Sequence, residues 1–177
     1  MRRSILAAIV LVVLTCAGEG WAQTWKPFQE LGFLTGSWSG SGESAGRIAG
    51  VTASWGMEMN GNFLMHTTNV VLPASEGKTE ESIRIVGYYS YDRERRKYVA
   101  YYFFSTGILG TFDADLAADG SSVKLLSTQL LNYEAGARAR ISITKAAAPA
   151  TDITFQLDLA ASGKDFVPFV IAKLAKR

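Results

Sequence analysis

The sequence predicts an all-β protein, an antiparallel up-and-down β-barrel of about ten strands with a short N-terminal helix. Apolar residues occupy every second position over several stretches, as from Val51 to Met59, which is typical of half-buried strands. Short segments with Gly, Pro, Asp or Asn separate these stretches. No later stretch has a helical period, so an antiparallel barrel is favoured over a parallel sheet, with a sandwich as the alternative.

The first predicted elements are a helix and a glycine-rich strand. Residues 27–34 place apolar side chains at three-residue spacing behind a proline, which indicates one or two helical turns ended by Gly36. From Ser37 to Gly42 one strand face carries Trp38 and two glycines, and the other carries only serines. Glycines within a strand mark a bend or a close backbone approach. We expect this strand to begin the barrel and Trp38 to fill its closed end.

The later strands follow in order, separated by recognisable turns. Residues 43–50 are rich in Gly, Ser and Ala and predict a turn region. Asn60-Gly61-Asn62 predicts a hairpin turn, because Asn and Gly accept positive φ. The charged residues 92–97 predict a turn before YVAYYFF, a strong strand sequence. The predicted strands are 37–42, 51–59, 63–72, 82–91, 98–105, 108–116, 123–131, 137–144, 151–159 and 166–174.

Residues 1–22 have the pattern of a cleavable export signal: two arginines, an apolar run over residues 5–14 and a small-x-small sequence at residues 20–22. We expect residues 23–177 to form a single barrel domain in an exported protein, periplasmic or secreted. The apolar run is shorter than the ~20 residues of a membrane-spanning helix, so we expect no stable membrane insertion after cleavage. An uncut anchor, a twin-arginine signal and lipidation at Cys16 are the alternatives.

The composition disfavours several classes of function. Cleavage would remove two arginines and one glutamate and lower the formal net charge from +2 to +1, which does not indicate a nucleic-acid partner. It would also remove Cys16, the single cysteine, and with it any disulfide, thiol nucleophile or thiolate metal ligand. No metal site is predicted. Asp113 and Asp115 share a strand face, but solvent-facing strand positions explain them.

Several motifs carry a resemblance to known barrels. Gly36-Ser37-Trp38 after a short helix is similar to the G-x-W signature of lipocalins and their calycin relatives. GSWSGSG, the hairpin ending NFLMH and the GYYSYD-turn-KYV hairpin more closely resemble nitrobindin-like barrels and a related bacterial exported family of unknown function. The resemblance implies a ten-stranded barrel with a ferric haem held by a His on the last strand. Here that strand reads FVPFVIAKL, and Phe169 falls where the His would be.

His66 is the only histidine and therefore the main candidate for binding a ligand or a haem. It shares a strand face with Leu64 and Thr68; if that face is inward, His66 enters the cavity, and if it is outward, it is solvated. Trp55 and Met57 alternate along the preceding strand and are further candidates to line a cavity, although core packing explains them as well.

Tyr88, Tyr101 and Phe103 belong to an aromatic-rich pair of strands, and alternation must turn half of these side chains inward. We expect these three to line an apolar pocket together with Trp55, Met57 and His66, with hydroxyl groups that orient a ligand. A barrel packed solid with side chains is the alternative.

These observations predict a carrier or sensor that binds a small hydrophobic or amphipathic molecule inside the barrel. We expect no resident cofactor and no evident catalysis, since catalytic residue types are scarce. Haem binding through His66 or a tyrosine is one alternative. An isomerase or hydrolase that uses His66, a tyrosine or Glu58 is another. A structural or interaction protein with a filled core is the last.

Overall fold

The structure, a computed structural model, describes residues 28–75 and 77–177. Ten strands hydrogen-bond in a ring and form a closed antiparallel barrel, in which each strand pairs with its neighbours in the chain and the last pairs with the first. This confirms the predicted fold class. The expected export signal and Pro27 lie outside the described residues. The strands are β1 (Gly36–Ser44), β2 (Arg47–Glu58), β3 (Phe63–Leu72), β4 (Glu81–Asp92), β5 (Lys97–Phe104), β6 (Leu109–Leu116), β7 (Ser122–Leu131), β8 (Arg138–Lys145), β9 (Ile153–Ala160) and β10 (Val167–Lys176).

A 3₁₀ helix, Gln29–Leu34, closes one end of the barrel. The indole Nε1 of Trp38 donates a hydrogen bond of 2.7 Å to the carbonyl oxygen of Leu34, which ties the start of β1 to the helix. Just before the helix, the ring of Phe28 packs 5.8 Å from that of Tyr98. Trp38 is 3% exposed, so it fills this closed end as the sequence predicts.

The barrel closes where β1 pairs with β10, from Trp38 opposite Lys176 to Ser44 opposite Val170. A Cβ atom at Gly40 would overlap the backbone of β10. Because any side chain there would separate the two strands, the glycine allows the close approach that completes the ring.

One predicted turn is mostly strand. The turn region expected over residues 43–50 contains the end of β1 and the start of β2, and only Ala45 and Gly46 lie between the strands. Both have positive φ, 49° and 74°, as a two-residue turn between twisted strands requires. Alanine rarely adopts such a φ, which is why the sequence does not show where within residues 43–50 the turn lies. Asn60 and Gly61 have positive φ, as predicted.

The connections alternate between the two ends of the barrel. The β2–β3, β4–β5, β6–β7 and β8–β9 connections lie with the 3₁₀ helix at the closed end, and the other connections lie at the opposite, open end. Within the described ranges, no helix has the length and hydropathy needed to cross a membrane.

Candidate functional site

The register of β4 and β5 determines which aromatic side chains enter the barrel. Gly87 lies opposite Tyr102, and Tyr89 lies opposite Ala100. Tyr89 and Tyr102 are fully buried, so this parity faces inward. The residues of the opposite parity face outward: Tyr88 is half-buried, Tyr101 is 45% exposed and Phe103 is 46% exposed. The expectation that Tyr88, Tyr101 and Phe103 line the interior is therefore wrong, because the opposite, equally aromatic face was turned inward.

Met57 also does not line an internal cavity. It lies opposite the buried Leu64 and has the inward parity of β2. However, β2 ends one residue later, so Met57 reaches the rim of the closed end and is 44% exposed. The adjacent Glu58, considered above as a proton carrier, is exposed at the end of the same strand.

Trp55 and His66 are the two predicted site residues that lie inside the barrel. They are opposite one another on β2 and β3, and both are buried. Their rings stack with centroids 4.1 Å apart and an interplanar angle of 4°. The ring of Tyr102 meets the His66 ring edge-on at 5.6 Å. His66 is thus enclosed by aromatic rings in the middle of the barrel.

Both nitrogens of the His66 ring are engaged in hydrogen bonds. Nδ1 lies 3.0 Å from the hydroxyl of Tyr102, and Nε2 is hydrogen-bonded to the hydroxyl of Thr68. The Tyr102 hydroxyl also lies 2.7 Å from that of Tyr89. These four buried side chains, which we call the polar chain, are joined by hydrogen bonds. The polar chain was not predicted from the sequence, because alternation shows which residues share a face and not which hydroxyl groups meet.

The hydroxyl of Tyr102 connects the two ends of the polar chain, because it lies within hydrogen-bonding distance of both Tyr89 and His66. A hydroxyl group has one proton, so it donates to one of these neighbours and accepts a hydrogen bond from the other. The indole Nε1 of Trp55 is buried and makes no hydrogen bond to a described residue.

Burial controls the acid–base properties of the polar chain. It lowers the pKa of His66 to about 3, because the charged imidazolium would lose its hydration. It raises the pKa of Tyr89 to about 12, against the smaller opposing effects of Tyr102 and Trp55. Burial likewise raises the pKa of Tyr102. Near neutral pH all three are uncharged, and His66 is a weak base with no free nitrogen.

The residues present do not fit a haem held by a histidine. His66 is the only histidine in the chain, and both of its nitrogens are already bonded. Binding iron there would require breaking a buried hydrogen bond and moving the stacked Trp55 ring. Phe169, at the position where the resemblance places the haem ligand, has no donor atom.

Two glycines allow aromatic rings to fill the middle of the barrel. A Cβ atom on Gly87 would lie 2.7 Å from the ring of Tyr102, and one on Gly110 would lie 2.6 Å from the ring of Phe112. The two rings contact each other with centroids 5.3 Å apart. Tyr102 and Phe112 therefore lie across the interior and separate its two ends.

Above these rings, at the open end, lies an apolar cavity of about 200 Å³, which we call the cup. Its most deeply buried lining residues are Ile85, Ala139 and Leu157, each 1% exposed. Thr106 and Tyr133 lie at its exposed mouth. The walls are formed by Ile83, Phe104, Ile108, Leu130, Leu159 and Phe169.

A bulge in β10 explains why Phe169 faces the cup. The register with β9 shifts between Pro168 and Val170, so Phe169 is an extra residue without a partner. Bulges re-aim side chains in this way. None of the cup residues was predicted as a site residue. The sequence signal that could have identified them is the strand register that short hairpins impose. This register groups the inward residues by their height in the barrel.

The carboxylates Asp113 and Asp115, which the sequence analysis weighed as a metal site, lie on the outside of the barrel. Asp113 accepts hydrogen bonds of 2.7 and 2.6 Å from Arg95 and one of 3.2 Å from Lys97. The hydrogen bond from Arg95 is the main cause that lowers the pKa of Asp113. Asp115 is 3.5 Å from Lys97. These groups form an exposed ion-pair network between β5 and β6.

Comparison with known proteins supports the fold. No model of a protein family matches the chain, and no curated protein matches it significantly. Among solved structures, the chain is similar to the crystal structure of Rv2717c from M. tuberculosis, with a TM-score of 0.61 and 15% sequence identity. The match covers 85% of this chain and 96% of that chain. At this identity the similarity shows a shared barrel fold alone.

Proposed function

We propose that this protein is an exported carrier or sensor that binds a small apolar or amphipathic molecule in the cup. The observation that carries the proposal is the cup itself, a cavity of about 200 Å³ whose eleven lining residues include no charged side chain. Ligand sites in proteins are concave and mostly apolar, with few polar groups. The mouths of small barrels are among the places where they occur.

Packing elsewhere in the interior supports the cup as the binding site. At the closed end, Trp38 and Phe28 fill the barrel. In the middle, Tyr102 and Phe112 lie across it. A ligand would therefore enter from the open end and rest on the inner wall formed by Ile85. This binding site differs from the one expected from the sequence, which was lined by aromatic residues of the strands around His66.

The chemistry of the interior favours binding over catalysis. A general base needs a pKa near the working pH and a free nitrogen or oxygen within reach of the substrate. The pKa of His66 is lowered to about 3, and both of its nitrogens are bonded. Glu58 is exposed at the other end of the barrel. Neither is suited to proton transfer in the cup.

We include in the proposal a distant relationship to nitrobindin-like and lipocalin-like barrels. The G-x-W motif at Gly36 to Trp38 and the closed ten-stranded topology support it. Haem held by a histidine is not part of the proposed function, because both nitrogens of His66 are bonded.

The ligand can be sought directly. The purified protein is mixed with a lipid extract, washed and analysed by native mass spectrometry, and we expect a bound small molecule. Two variants one residue apart test the site: Leu130→Trp fills the cup, whereas Leu131→Trp changes a side chain that is 44% exposed. We expect Leu130→Trp to lose the bound molecule and Leu131→Trp to retain it, with unchanged circular dichroism for both. A wild-type protein that retains nothing argues against the proposal.

Export has its own test. The full chain is expressed in a bacterial host, and the N-terminus of the protein in the periplasmic fraction is sequenced. We expect it to begin at Gln23, because the small-x-small pattern ends at residue 22. Uncleaved protein retained in the cytoplasm contradicts this part of the proposal and leaves the cup unaffected.

A further inference from the structure

The walls of the cup offer nothing that could neutralise a charge. Its polar side chains are only Thr106 and Tyr133, and both are exposed at the mouth. Burying a charge without a partner costs more than burying an equal length of hydrocarbon gains. A charged ligand group would therefore have to stay in water.

The cations on the neighbouring strands face away from the cup. Arg138 and Arg140 on β8 lie over the ring of Phe166, 4.9 and 4.6 Å from its centroid. Arg140 also forms an ion pair of 2.7 Å with Asp158, which is 1% exposed although it lies on the outer face of β9. Arg84 is exposed on β4 between the cup residues Ile83 and Ile85. These arginines do not supply a counter-ion inside the cup.

The aromatic rings beneath the cup set an upper limit on the size of the ligand. On β4 the next inward residue below Ile85 is Gly87, over which the ring of Tyr102 lies. On β5 Tyr102 is likewise the next inward residue below Phe104, and their ring centroids are 6.4 Å apart. A cavity of about 150 Å³ holds a benzene molecule, so the 200 Å³ cup holds roughly eight carbon atoms.

We infer that the cup selects an uncharged, mostly hydrocarbon ligand of roughly eight carbon atoms, whose polar group lies at the mouth beside Thr106 and Tyr133. This inference rests on the proposed function and narrows it, since it excludes amphipathic ions such as fatty-acid anions. The hydrocarbon end of the ligand packs against Ile85, Ala139 and Leu157. The polar end exchanges hydrogen bonds with a hydroxyl group or with water.

Isothermal titration calorimetry of the full mature protein with a matched pair of probes tests the charge. Octanamide and octanoate have nearly the same shape and differ in charge at pH 7.5. We expect octanamide to bind at least about tenfold more tightly, because the carboxylate keeps its water and draws the chain out of the cup. Equal or tighter binding of octanoate overturns the inference, although it supports the proposed function. If neither probe binds and the lipid extract leaves nothing bound, the proposed function fails as well.

A series of 1-alkanols tests the size. We expect the affinity to rise by up to about fourfold for each added methylene while the chain still fits, which corresponds to about 0.8 kcal/mol per buried methylene. The rise should stop at roughly eight carbon atoms, where the chain meets the ring of Tyr102. A constant rise through dodecanol would show that the cup has no fixed floor and would overturn the size limit.

The orientation of the ligand in the cup is tested with a variant of Tyr133 at the mouth. Tyr133→Phe should weaken octanamide binding by about two- to tenfold through loss of one hydrogen bond. The same variant should leave toluene binding unchanged, because toluene has no polar group. Tyr101→Phe, on the outer face, is the matched control and should change neither affinity. Equal weakening of toluene and octanamide by Tyr133→Phe contradicts the proposed orientation.

Discussion

The hydroxyl of Tyr102 lies 3.0 Å from Nδ1 of His66, although the two residues belong to strands that are not neighbours. Gly87 on β4 lies between them in register, opposite both. Because Gly87 has no side chain, the Tyr102 ring lies over it and its hydroxyl reaches β3. One glycine thus makes possible both the polar chain and the position of the aromatic ring beneath the cup.

Removing the Tyr102 hydroxyl should destabilise the fold. In Tyr102→Phe, Nδ1 of His66 and the hydroxyl of Tyr89 each lose a buried hydrogen-bond partner. We expect the free energy of unfolding to fall by about 1–3 kcal/mol, measured by urea denaturation. Tyr101→Phe removes the same atom from a 45% exposed side chain and should change it by less than about 0.5 kcal/mol. Equal effects of the two substitutions would contradict the assigned network.

The buried His66 should make stability depend on pH. Its pKa is about 3 in the folded protein and near 6.5 in the unfolded chain, so the unfolded state binds more protons between these values. Stability is therefore complete above pH 6.5 and decreases as the pH falls towards 3. We expect His66 to contribute a loss of about 2 kcal/mol between pH 8 and pH 5, measured by urea denaturation at each pH.

His66→Gln separates this contribution from that of the carboxylates. The variant should lose about 2 kcal/mol less than the wild type over the same pH interval, whatever its starting stability. In the wild type, the His66 Hε1 resonance should not shift from pH 8 to pH 5. A titration with a midpoint near 6.5 would show that the ring is hydrated.

Gly87→Ala should be destabilising although the backbone tolerates it. Its Cβ would lie 2.7 Å from the Tyr102 ring, which is buried and cannot move freely. We expect a loss of about 1–3 kcal/mol in the free energy of unfolding, the usual range for overpacking. At Gly56 on β2 an added Cβ meets nothing within 4 Å, so Gly56→Ala is the control and should be neutral or slightly stabilising. A neutral Gly87→Ala would mean that Tyr102 has room to shift.

Asp158 should contribute more to stability than the exposed carboxylate of Asp115. It accepts hydrogen bonds of 2.8 Å from Arg140 and 2.6 Å from Gln156 while almost fully buried. We expect Asp158→Asn to lower the thermal midpoint, corresponding to about 1–3 kcal/mol. Asp115→Asn alters a side chain that is 75% exposed and should have an effect below about 1 kcal/mol. Similar shifts for the two variants would contradict the importance of burial at Asp158.

The strands and their order were predictable because their signals are local. Residues 63–72 form a strand with the predicted bounds, and Asn60 and Gly61 form the predicted turn. Trp38 was correctly assigned to the closed end. Gly40 has a close backbone approach, which is one of the two roles expected of a glycine within a strand. The β1–β2 turn was predicted over too many residues, because Ala45 adopts a conformation that its side chain disfavours.

The candidate site was less predictable, because it depends on which face of each strand is inside. On β4 and β5 both faces are aromatic, so hydrophobicity alone does not separate Tyr101 from Tyr102. Tyr102 faces inward because Gly87, its partner across the ladder, leaves space for the ring. Phe169 enters the cup through a bulge, which changes parity at a single residue. Neither feature is visible as a local pattern.

By itself, the sequence determined that the chain forms antiparallel strands joined by short turns, with its single histidine on the third strand, because alternation and turn residues act over a few positions. Only the tertiary structure decided that His66 is sealed in the middle and that the free space lies at the open end. The physical reason is that strand register and ring packing join residues far apart in the chain. Those contacts determine which side chains fill the barrel and where a cavity is left.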